Sequence, residues 1–82
     1  MADGRMNDIL RNEQLGEAAY DAMYEARYPM SPKLHFEDAC MFFSRAIAEA
    51  ERLALSAEVI RLKQRMDHIR GVYNSQFRYV VR

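Results

Sequence analysis

The chain has 82 residues, half of them apolar and 29% charged, with a formal net charge of zero. That length is one domain, and an apolar share this high without net charge excludes an intrinsically disordered chain. One cysteine, Cys40, excludes an intramolecular disulfide, so a reducing, cytoplasmic setting is expected.

Residues 1–10 carry Asp3, Arg5 and Asp8 without the apolar run of a signal peptide. No apolar run is long enough to cross a membrane. Two prolines, three glycines and few β-branched residues predict an all-α fold.

A first helix is predicted over about 7–27, with Asn7 or Asp8 as its cap. Its apolar positions Ile9, Leu10, Leu15, Ala18, Ala19, Ala22, Met23 and Ala26 recur at spacings of three and four and describe one face. Gly16 lies inside it, at a cost of about 1 kcal/mol relative to Ala; it allows a close helix crossing or marks a bend. Tyr28-Pro29-Met30-Ser31-Pro32 stops the helix, because each proline disfavours α geometry in the residue before it.

The second helix is predicted over about 33–54, started by Ser31 or Pro32, with Glu37 and Asp38 near the positive end of its dipole. Phe36, Ala39, Phe43, Ala46, Ala50 and Leu53 form its stripe. A second series, Val59, Leu62, Met66, Ile69, Tyr73, Gln76 and Val80, follows out of phase. The first stripe would continue instead at Ala57 and Ile60.

That slip has two readings. A turn near Leu55-Ser56-Ala57, with Ser56 as N-cap, gives a third helix over about 57–77. An unbroken helix, about 55 Å long for about 37 residues, gives a helical hairpin and an intertwined dimer. The turn is preferred because Ser56 is the one capping side chain there. Gly71 is not expected to end the last helix, since the periodicity runs on through Tyr73 and Phe77. The expected fold is a single domain over 1–82, a small antiparallel three-helix bundle.

The stretch from Phe36 to Leu53, less than a quarter of the chain, resembles the second helix of a tetratricopeptide-type repeat. Ala39, Phe43 and Ala46 stand at that motif's small–aromatic–small spacing. The resemblance is one of packing; in that family such hairpins bind peptides and partner proteins.

The neutral total hides an asymmetry. Residues 1–51 hold five basic and ten acidic side chains, and residues 52–82 hold seven basic and two acidic. Either the halves pack against each other, within a chain or across a dimer, or the basic half meets an acidic partner.

Catalytic and ligand-binding chemistry finds little support. His35, Cys40 and His68 are the soft ligands, and they lack a shared helical face, a second cysteine or a His-x-x-x-His pair. Asp67-His68 are neighbours and diverge, as do Glu49 and Glu51. Gly4, Gly16 and Gly71 stand alone, so no glycine-rich phosphate loop exists. No metal, no cofactor, no small-molecule substrate and no enzyme activity are expected.

Two surfaces are candidates. Tyr20, Tyr24 and Tyr28 form an i, i+4, i+8 row which, with Phe77 and Tyr79, is read as a partner surface; the competing reading closes the Tyr rings over the hairpin. Arg61, Arg65, His68 and Arg70 are read as a basic face. The expected function is a non-enzymatic protein–protein interaction module: an adaptor, a chaperone-like subunit or an inhibitor of a larger protein, self-associating as a homodimer. The alternative is a small nucleic-acid-binding regulator that uses the basic C-terminal helix.

Overall fold

Ser31 and Pro32 start the middle helix, each for its own physical reason. The Ser31 side chain accepts the Lys33 N–H at 3.1 Å, and Pro32 fills a first-turn position that needs no N–H. In the computed structural model, which describes residues 4–27 and 30–77, this helix is α2, Pro32–Arg52. It follows α1, Gly4–Glu25, and precedes α3, Ser56–Val72, which passes into a π-helical turn at Tyr73–Phe77. Among the described residues there are three α-helices and no strand, an all-α three-helix bundle.

The predicted boundaries need small corrections. Asn7 and Asp8 lie inside α1 and do not cap it. Glu37 and Asp38 fall beyond the first turn of α2. The last helix does run past Gly71, through Val72 into the π turn.

The turn between α2 and α3 exists, but Ser56 does not make it. Ser56 is the first residue of α3; Leu55 holds the cap position and offers no side-chain hydrogen bond. The reversal comes from Ala54, whose φ of 59° is left-handed. The Leu55 N–H donates to the Ala50 carbonyl at 2.9 Å and the Ala54 N–H to the Glu51 carbonyl at 3.0 Å. Those are the two bonds of a Schellman helix end, a position usually held by glycine. An alanine there carries a left-handed cost of about 1–2 kcal/mol.

Gly16 serves a close crossing. A Cβ at that position would lie 2.6 Å from Cδ2 and Cε2 of Phe43. Phe43, flanked by Ala39 and Ala46, is fully buried, and all three face the core. Around them lie Ile9, Ala19, Tyr20 and Met23 of α1, Ile47 and Ala50 of α2, and Leu62, Ile69 and Tyr73 from the last segment. Phe36 stacks on Tyr73 with centroids 4.1 Å apart, which ties the start of α2 to the π turn.

The register of α1 against α3 is read from three pairs: Glu13 with Arg61, Glu17 with Arg65, and Tyr20 with His68. A constant separation along the chain means that α1 and α3 run parallel, with α2 antiparallel to both. The backbones of α1 and α3 stay apart, and long side chains bridge them. The bundle is accordingly splayed and elongated, 46 × 19 × 13 Å across its Cα atoms.

Candidate functional site

The α1–α3 seam gathers most residues of both predicted surfaces. Glu13 and Glu17 are one turn apart on the flank of α1, and Arg61 and Arg65 are one turn apart on α3, so two rungs align. Arg61 donates from Nη1 to Glu13 Oε2 at 2.6 Å and from Nη2 to Oε1 at 3.0 Å. Arg65 donates from Nε to Glu17 Oε2 at 2.6 Å and from Nη2 to Oε1 at 2.8 Å. Both are two-pronged pairs, the geometry in which a guanidinium fits a carboxylate best. Glu58 adds a third carboxylate, accepting from Arg61 Nε at 3.1 Å. Hydrogen bonds to Glu13 and Glu58 hold the Arg61 guanidinium's pKa above its ordinary value, and the bond to Glu17 does the same for Arg65.

The predicted basic face is therefore not a free cationic stripe. Arg61 and Arg65 are committed to carboxylates of α1 and α3. Arg70 leaves that flank altogether: it pairs with Asp67 at 3.3 Å and approaches Cys40 of α2. His68 is exposed and lies edge-to-face with Tyr20, centroids 6.4 Å apart. The opposite charges of the two halves of the chain meet inside the molecule, at these rungs and at Lys63–Glu51, 3.6 Å, between α3 and α2. The close Arg52–Glu49 pair stays within α2.

The aromatic row divides in the same way. Tyr20 belongs to the core, 9% exposed, where the competing reading of the row placed it. Its ring packs against the Arg65 guanidinium at 5.2 Å, and its hydroxyl lies 3.3 Å from that of Tyr24. Burial, reinforced by that hydroxyl contact, pushes the Tyr20 phenol up to about 12. Tyr24, one turn on, is 52% exposed and meets Phe77 edge-to-face at 5.0 Å. Phe77 is half-buried at the end of the π turn. Tyr28 and Tyr79 lie outside the described residues.

The antiparallel topology brings the end of α1, the start of α2 and the end of the π turn to one end of the bundle. Tyr24 and Phe77 are joined at that end by Met30 and Leu34, 49% and 51% exposed. Leu34 lies off the predicted stripes, and periodicity does not find it; Met30 is legible in the sequence only as one of several methionines that could serve a binding surface or fill the core.

Cys40 is partly buried; burial pushes its thiol up, against the lowering influence of Arg70. Among the described residues, no three His, Cys, Asp or Glu side chains converge as metal ligands. Among them too, no helix is long and apolar enough to cross a membrane. Comparison with known protein families, with characterised proteins and with solved structures finds no match for this chain.

Proposed function

We propose that this chain is a non-enzymatic protein–protein interaction module, an adaptor, chaperone-like subunit or inhibitor of a larger protein, that also pairs with itself and works in the cytoplasm. The observation that carries the reading is the apolar end of the bundle. Tyr24 presents half its surface there, backed by Phe77, with Met30 and Leu34 half-exposed at the same end. A rigid aromatic ring with a polar tip, held from behind by a second ring, is the anchor type that protein interfaces favour. The single cysteine supports the cytoplasmic setting.

The nucleic-acid reading is weakened by the engagement of Arg61 and Arg65 with Glu13, Glu17 and Glu58. Phosphates would have to displace carboxylates already held in two-pronged pairs.

The test is affinity capture with wild type and Tyr24→Ser side by side, each checked by thermal melting. Loss of the same captured protein from Tyr24→Ser, with the melt unchanged, supports the reading. Equal capture by both chains removes Tyr24 and this end of the bundle from it.

A further inference from the structure

We propose that α3 exchanges between two copies of the chain, through straightening of the Leu53–Leu55 turn into a continuous α2–α3 helix. This deepens the self-association within the reading above and rests on that part of it alone.

The turn is the first observation. It contains no glycine and no proline, its reversal depends on one left-handed alanine, and the cap of α3 has no side-chain bond. Apart from Ser56, the residues around it favour helix. Straightening removes the left-handed alanine and gives the first N–H groups of α3 carbonyl partners in the last turn of α2. Short strained hinges of this kind invite exchange of an element between protomers.

The second observation is the stripe that the closed molecule leaves unused. In a continuous helix the buried positions Ala46 and Ala50 and the partly buried Leu53 go on to Ala57 and Ile60. In the closed monomer Ala57 is exposed and Ile60 is 58% exposed, beside a shallow hollow lined by Ala54, Leu55 and Val59. Around a two-fold axis at the hinge, these residues of one copy face those of the other. An apolar side chain without a role in the closed form gains a partner in the open one.

The occupant of the face that α3 leaves is fixed by complementarity. That face carries Glu13 and Glu17, and α3 of a second copy brings Arg61 and Arg65 at the matching one-turn spacing. Leu62, Ile69 and Tyr73 return to the same core. The rungs between α1 and α3 are re-formed across the dimer; what the exchange gives up is the turn itself, whose two Schellman bonds are replaced by helical ones.

The test uses the full chain with the charges of one rung reversed, Glu17→Arg in one preparation and Arg65→Glu in the other. Each alone places like charges on that rung. Refolded together, an exchanged dimer of one of each restores both rungs, so native mass spectrometry is expected to show the mixed dimer more than tenfold over either self-pair. No mixed dimer, or mixed and self dimers in statistical ratio, overturns the exchange.

A second comparison does not depend on those variants folding. After refolding at millimolar concentration, Ala54→Gly is expected to weaken dimerisation at least about tenfold, because glycine removes the left-handed cost at both hinges. Ala54→Val is expected to strengthen it. A dimer indifferent to both substitutions, or monomer throughout, overturns the proposal. Tyr24→Ser leaves the mixed dimer unchanged if exchange is right, whatever becomes of partner capture.

Discussion

The two seams made by α1 are built from opposite materials. Toward α2 the helix presents Gly16, Ala19 and Met23, and the backbones approach until a ring of Phe43 fills the space where a Cβ would stand. Toward α3 and the π turn it presents Glu13, Glu17 and Tyr24, and the backbones of α1 and α3 stay apart behind ion pairs and ring edges. The first seam removes apolar surface from water, which is where folding free energy comes from. The second places partly exposed charges in two aligned rungs, which contribute little stability; a slip of one turn would leave one Glu and one Arg without its partner across the seam.

Substitutions can sharpen that contrast or break it. The largest loss is expected from Phe43→Ala, about 3–5 kcal/mol by denaturant unfolding, because the ring is fully buried at the crossing. Gly16→Ala is expected to destabilise by about 1–3 kcal/mol despite the better helix propensity of Ala, since the new methyl meets a ring with no free space. If Gly16→Ala instead stabilises the chain, the close crossing is wrong and the contrast between the seams goes with it. Ala54→Gly is expected to raise the stability of the closed form by about 1 kcal/mol.

Smaller effects belong to the second seam. Arg65→Gln is expected to cost less than about 1 kcal/mol and to lose that effect in high salt; a salt-independent loss would move Arg65 into the core's account. Tyr20 supplies the pH dependence. Its phenol is raised from 10.0 to about 12 in the fold, so the stability tied to it is fully present below pH 10 and is lost as the pH climbs toward 12. Tyr20→Phe is expected to flatten that alkaline decline in a melting series, and an unchanged decline would assign it to other groups.

Much of this was legible in the sequence because it is local. Pro32 suits the start of a helix whatever surrounds it, Gly16 is a notch on any apolar face, and the phase slip after Leu53 left a turn and an unbroken helix both open, with the turn preferred. The cause of the turn was hidden. Ser56 looks like a cap, but the carbonyls of Ala50 and Glu51 were satisfied by backbone N–H groups, and no side-chain rule points to an alanine in a left-handed conformation. The roles of Tyr20 and Tyr24 were hidden for a different reason. A spacing of four turns the second ring about 40° around the helix, and at the edge of a buried face that rotation separates core from surface. The charge imbalance between the halves foretold an encounter; that Arg61 meets Glu13 and Arg65 meets Glu17 depends on helix register, which periodicity does not contain.

The Ala54 turn also bears on the order of folding. Both α1–α2 and α2–α3 join neighbouring helices, but α3 docks only through a left-handed alanine, so the α1–α2 hairpin is expected to close first. Substitutions at Phe43 should therefore slow folding, while those at Leu62 and Ile69 should chiefly speed unfolding. Under the exchange proposed above, a chain in that interval would offer its open flank to its own third helix or to a neighbour's, and crowding at the moment of synthesis would be expected to raise the share of pairs, which refolding at increasing dilution measures.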